Sequence, residues 1–175
     1  MQDDEIYRVA SDSSAGFPPV SRYDAHVLIL GSLPGQRSLQ AAQYYAHPHN
    51  VFWRIMQELV GAEGSYQQRC DVLVEHRIAL WDVLAESVRP GSMDADIRLD
   101  SAKANDFAGF LAEHREIDLI CFNGQKAAKL FQHFVVPDRL ATTRRHETLP
   151  STSPAYASMP YAEKFDRWRS VIVGY

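Results

Sequence analysis

The run His26-Val-Leu-Ile-Leu30 breaks off at Gly31. A strand with one wet face alternates apolar and polar residues, and this run does not. It has to be covered on both faces, the condition of strands in parallel sheets. Ile78-Ala-Leu-Trp81 and Asp118-Leu-Ile-Cys-Phe122 repeat the pattern, the latter stopped by Asn123-Gly124. A fourth strand is expected within 143–149, where alternation is poor. Helical spacing fills the intervals. Val51, Phe52, Ile55, Met56, Leu59 and Val60 form one stripe, ended by Gly61. A second helix is read over 66–76, and a third through Phe107, Phe110, Leu111 and His114 behind an Asn105 or Asp106 cap. Ala127, Leu130, Phe131 and Phe134 mark a fourth, ended by Pro137. Pro160 opens the last, with Tyr161, Phe165, Trp168 and Ile172 on one face. This alternation predicts an α/β fold with helices on both faces of a parallel sheet.

The chain has 175 residues, enough for one domain with its own core. Residues 1–22 lack an apolar period and are read as a mobile tail, leaving 23–175 as a single domain. Residues 86–100 are read as a loop punctuated by Pro90-Gly91. No apolar run is long enough for a transmembrane helix, and the acidic start MQDDEIYRVASDSSAG does not resemble a secretory signal. Cys70 and Cys121 have no metal-ligand spacing, so reduced thiols and a cytoplasmic setting are expected. Cys121 reads as core rather than nucleophile. His47 and His49 lack a carboxylate or thiol partner, so no metal site is expected there.

In open parallel sheets, ligands bind beyond the carboxyl ends of the strands. Three segments sit there and are poorly explained by packing: 31–50, Asn123-Gly124 and 150–157. One pocket fed by these loops is expected. The net charge of -4 argues against a nucleic-acid binder. The acids are segregated, however. None occurs from Val27 through Gln57 or from Thr148 through Ala162, so these stretches suit an anionic ligand.

Each candidate has two readings. Gly31-Ser-Leu-Pro-Gly35 is a plain turn, or it brings backbone N–H groups against a ligand. Asn50 is a helix cap, or an amide that holds a water. Tyr44 and Tyr45 are half-buried against the sheet, or form a stacking platform. Asn123 is a turn residue, or offers a donor and an acceptor to a base edge. Ser151, Thr152 and Ser153 shape a turn, or donate to phosphate oxygens.

Taken together, GSLPGQRSL at 31–39, YYAHPHNVFW at 44–53, LWDVL at 80–84, FNGQKA at 122–127 and LPSTSPAYA at 149–157 resemble the uracil-DNA glycosylase superfamily. The resemblance spans about 24 to 173 and is closest to the hypoxanthine-DNA (deoxyinosine) glycosylase branch. It implies a three-layer α/β/α sandwich on a four-stranded, mostly parallel sheet. It implies a monofunctional enzyme that flips a damaged nucleotide out of DNA and replaces the base at C1′ with water, without metal or cofactor. Leu33 stands where mismatch-specific relatives carry a water-holding Asn, so the catalytic role passes to Asn50. Tyr45, Asn123, Gly31, Ser32 and Leu33 are assigned to the base. Pro34, Gly35, Pro150, Ser151, Thr152 and Ser153 are assigned to DNA. Tyr156 stands where branch members often carry Asn. The second motif has no His for the departing base, because His146 lies upstream. That role is expected from backbone N–H groups near Gly31–Gly35. The expected activity is excision of hypoxanthine from DNA by a monomer, working at the nucleoid. Excision of uracil or another deaminated base, binding of damaged DNA without cutting, and hydrolysis of a small-molecule nucleotide or base in the same pocket are the alternatives.

Overall fold

The computed structural model describes residues 13–136 and 143–174. Its centre is a four-stranded sheet in the order β3-β2-β6-β7, built from β2 (Val27–Gly31), β3 (Ile78–Asp82), β6 (Leu119–Asn123) and β7 (Arg145–Leu149). All three pairings are parallel. β2 and β3 are buried along their whole length, as unbroken apolar runs require. β7 is the edge strand and has only Leu149 fully buried, which explains its weak alternation.

The helices cover both faces. On one, α2 (Phe52–Val60) packs on α3 (Tyr66–Glu75) through Trp53 and Tyr66, and on α6 (Tyr161–Ile172) through Phe52 and Trp168. On the other, α4 (Phe107–Glu113) meets α5 (Gln125–Phe134) through Phe107 and Phe131. Asp106 caps α4, accepting from Gly109 N–H at 3.0 Å. Pro160 is the cap residue of α6, one place earlier than expected. Pro137, expected to end α5, lies outside the described residues.

Three sequence expectations change. Part of the 86–100 loop is strand: β4 (Leu84–Val88) pairs antiparallel with β1 (Ser13–Ala15) and with β5 (Lys103–Ala104) in a small second sheet. The tail assigned to 1–22 is therefore attached to the domain from Ser13 onward. Val20 bridges Leu80, Trp81 Nε1 donates to Phe17 O at 3.1 Å, and the Tyr44 hydroxyl donates to Pro18 O at 3.0 Å. Main-chain pairing and two aromatic donors hold this segment, and neither depends on an apolar period within it. The long 31–50 loop also contains a short helix, α1 (Gln36–Ala41), with Gly35 as its cap residue.

Candidate active site

The carboxyl ends of β2, β3 and β6 open into a cavity of about 360 Å³. Gly31 through Ser38, four residues of 44–50 (Tyr44, Tyr45, His47 and Asn50), Asn123 through Lys126 and Ser151 through Tyr156 contribute to its wall. The three loops expected to share a pocket do share one. A fourth segment, Ser92 to Ala95, joins them and brings Asp94 to the wall.

Asn50 borders the cavity, half-buried. Its Oδ1 accepts the N–H of Phe52 at 3.0 Å, although Val51 and not Asn50 is the cap residue of α2. The helix contact fixes the carboxamide, and an amide oxygen has a second lone pair for a water.

Tyr45 adopts a left-handed backbone (φ 54°), a conformation that costs a non-glycine residue about 1–2 kcal/mol. The ring stacks on Phe52 at 4.2 Å and lines the cavity. Its hydroxyl is buried and has no hydrogen-bond partner among the described residues, although the Asn123 amide approaches it. Burial and the neighbouring Asp82 push the phenol pKa far up, so it stays protonated. Tyr44, by contrast, is core: 3% exposed and turned to the 17–18 segment.

Asn123 borders the cavity and is also engaged with the second loop. Its Nδ2 donates to Thr152 Oγ1 and its Oδ1 accepts from Thr152 N–H, both at 2.9 Å. The amide expected to read a base braces the second loop. Thr152, assigned to DNA, has both its hydroxyl and its N–H engaged by Asn123. It is 1% exposed, and its carbonyl accepts from Val51 N–H at 3.1 Å. Pro150 is buried too, with its carbonyl accepting from Trp168 Nε1 at 2.9 Å. Of the assigned DNA-facing residues in this loop, Ser151 and Ser153 stay accessible at the cavity. Each oxygen accepts a backbone N–H two residues on, leaving the hydroxyl proton free to donate. Gly124, at φ 96°, lets the loop come close: a Cβ there would sit 3.0 Å from Ser151 Cβ.

The 31–35 loop has a one-sided hydrogen-bond pattern. The Gly31 and Ser32 carbonyls accept from Val83 and Leu84 N–H, those of Leu33 and Pro34 from the Arg89 guanidinium, and that of Gly35 from Leu39 N–H. The amides of Ser32, Leu33 and Gly35 find no acceptor among the described residues. In a trans peptide the N–H points opposite to its carbonyl. This row of donors therefore faces away from β3 and β4, in a loop that walls the cavity. Leu33 and Pro34 are themselves buried, so their contribution is to the wall rather than to an exposed surface.

Sequence reasoning missed Asp82, the last residue of β3. It is 4% exposed, lies opposite Gly31 in the sheet and lines the cavity. A Cβ on Gly31 would come within 2.4 Å of its Oδ1 and 2.9 Å of the Tyr45 hydroxyl, so only glycine fits between them. Asp82 Oδ2 is buried without a partner among the described residues. Burial, with the Asp94 charge adding, raises its pKa to about 7, against the pull of Arg89. The acid-free picture of the ligand-facing surface is thereby corrected: Asp82 and Asp94 enter from outside the acid-free stretches. A strand-terminal acid after an apolar run was the available signal.

Arg37 and Lys126 also border the cavity, without an ion-pair partner among the described residues. His47 and His49 lie 5.6 Å apart by ring centroid, and among the described residues no third ligand joins them. Cys121 is fully buried, and desolvation pushes its thiol up to about 12, which suits packing and not nucleophilic attack.

A family model described as the uracil DNA glycosylase superfamily matches residues 18–173. Two curated relatives, from Methanosarcina acetivorans and Methanosarcina barkeri, carry the name hypoxanthine DNA glycosylase. Each is 38% identical over 117 residues, 65% of this chain and 73% of the relative. A solution NMR structure from M. acetivorans, provisionally assigned as a uracil DNA glycosylase, superposes with a TM-score of 0.76. It is 33% identical, and the match covers 91% of this chain and 96% of that one.

Proposed function

The chain belongs to the uracil DNA glycosylase superfamily, and from that premise we propose that it excises hypoxanthine from DNA by hydrolysing the N-glycosidic bond. The observation that carries this reading is the convergence of the 31–35 loop, Tyr45, Asn50 and the Ser151–Tyr156 loop on one cavity. The cavity suits one heterocycle and not a duplex, so the target nucleotide has to leave the stack. The relatives' name supports hypoxanthine over the other deaminated bases.

The chemistry needs four things. The base must be read, water must be held at C1′, positive charge on the sugar must be tolerated, and the departing base must be met by donors. Tyr45 offers its ring to the base. Asp82, neutral below pH 7, presents an O–H donor beside a C=O acceptor, the complement of the N1–H and O6 edge of hypoxanthine. Asn50 holds the water. The free amides of Ser32, Leu33 and Gly35 face the leaving base, as preorganised donors do for other developing anions. Arg37, Lys126, Ser151 and Ser153 receive the phosphates. The products are free hypoxanthine and an abasic site.

Duplexes carrying one deoxyinosine, deoxyuridine or deoxyxanthosine are incubated separately with the protein and then treated with alkali. Breaks at deoxyinosine, fastest of the three, are expected. Faster breakage at deoxyuridine would transfer the reading to uracil. Tight binding without release of any base would make the protein a damage-binding module.

A further inference from the structure

Arg89 follows β4 and is 1% exposed. Its guanidinium donates to Leu33 O at 3.3 Å through Nη1 and to Pro34 O through Nη2. Among the described residues it forms no salt bridge, and its Nε has no acceptor. Asp94, Asp82 and Asp96 act on it through space. A buried charge costs several kcal/mol unless it is well satisfied. Here the two acceptors are consecutive main-chain oxygens in the wall of the cavity. Arg89 is not part of that wall, so the loop lies between the guanidinium and the ligand space.

Two features make this contact more than packing. The planar fork of Arg can hold two oxygens in fixed geometry, which the single ammonium of Lys cannot. The peptide that follows Pro34 is also the one whose N–H belongs to Gly35. Drawing the Pro34 carbonyl toward Arg89 turns the Gly35 amide the other way. Leu33 O contributes no amide of its own, because Pro34 has no N–H, but fixing it sets the plane from which the next peptide starts.

We propose that Arg89 is a positioning residue for base departure, clamping the Leu33 and Pro34 carbonyls so that the Gly35 amide meets the leaving base beside the Ser32 and Leu33 amides, whose peptides Val83 and Leu84 hold. The inference rests on the glycosylase reading. When the C1′–N bond breaks, its electron pair goes to the base. Water adds to C1′ and gives up a proton, and the base anion takes up a proton on release. Donors held toward the base stabilise the negative charge before that proton arrives. The buried cation behind the loop reinforces them through the polarised peptide groups.

The test uses the full chain and the variants Arg89→Lys and Arg89→Met, with two readouts. The first is the amide resonances of 15N-labelled protein without DNA. That of Gly35 is expected to move most in both variants, while those of β6 stay. Unmoved loop amides would overturn the clamp whatever the enzyme does. The second is single-turnover release of hypoxanthine and of xanthine, whose ring N–H is more acidic and which leaves more readily as an anion. A loss of about a hundredfold is expected for hypoxanthine, the size of one removed oxyanion donor, with a smaller loss for xanthine. Equal losses for the two bases would reduce Arg89 to scaffolding and overturn the proposal. If Arg89→Met fails to fold, Arg89→Lys carries both readouts. If wild type releases neither base, the glycosylase reading fails, while the amide readout still decides the clamp.

Discussion

Asn123 and Thr152 are joined twice, amide to hydroxyl and amide oxygen to backbone N–H, each at 2.9 Å. This pair ties the end of β6 to the loop that follows β7. Replacing Asn123 by Ala leaves the Thr152 N–H buried without an acceptor, a loss of about 1–3 kcal/mol. The Asn123→Ala variant is therefore expected to melt at lower temperature and to lose activity through a loosened loop. Thr152→Ala removes only the hydroxyl and is expected to cost less. In a double-mutant cycle the two should couple, because they share the contact. Unchanged stability in Asn123→Ala, with affinity lost for the base alone, would return Asn123 to the role of base reader.

Asn50 combines a structural and a chemical task, and these can be separated. Asn50→Ala loses the acceptor for Phe52 N–H and is expected to destabilise the fold by about 1 kcal/mol. Asn50→Ser keeps a side-chain oxygen near that N–H and is expected to recover most of the stability. Neither variant is expected to release hypoxanthine at more than a small fraction of the wild-type rate. Recovery of both stability and rate in Asn50→Ser would leave Asn50 as a cap alone.

The sheet was legible because β2, β3 and β6 are buried on both faces and their sequences carry no polar alternation. β1 was not legible, since Ser13-Ser14-Ala15 becomes a strand only by pairing with β4. Of the site, the cavity and the residues facing it followed from the rule that ligands sit beyond strand carboxyl ends. The Asn123–Thr152 brace did not follow. It depends on the β6–β7 register that sets Asn123 beside Leu149, and no local pattern encodes that register. Asp82 went unread because LWDVL looks like a strand running into its turn. Its burial beside Tyr45 and Arg89 is a tertiary fact.

Arg37 and Lys126 border the cavity from different elements, the helices α1 and α5. If each meets one phosphate, the slope of log binding constant against log salt is expected to flatten by about 0.9 in each single Ala variant. Binding of undamaged and deoxyinosine duplexes should weaken alike, since phosphate contacts carry no base information. Fluorescence anisotropy across a salt series measures both quantities. A variant that weakens only the damaged duplex would place that cation at the base instead.

Asp82 supplies a pH signature with a definite sign. Its carboxyl is raised from 3.8 to about 7 in the folded protein. Below pH 4 it is protonated in both folded and unfolded states and costs nothing. Between pH 4 and 7 the unfolded chain ionises while the folded one keeps its proton, so stability falls as pH rises. Above 7 the penalty is complete, on the order of 4 kcal/mol at about 1.4 kcal/mol per pKa unit. Asp82→Asn keeps the shape and removes the titration. Relative to wild type, it is expected to gain stability steadily from pH 4.5 to about 7 in chemical denaturation, and to level off above. The same substitution keeps a donor and an acceptor at every pH. Binding of free hypoxanthine should therefore weaken above pH 7 in wild type and remain level in Asp82→Asn. A stability difference that does not change with pH would mean that the folded protein does not hold the proton, and the neutral carboxyl would have to be dropped from the account of base recognition.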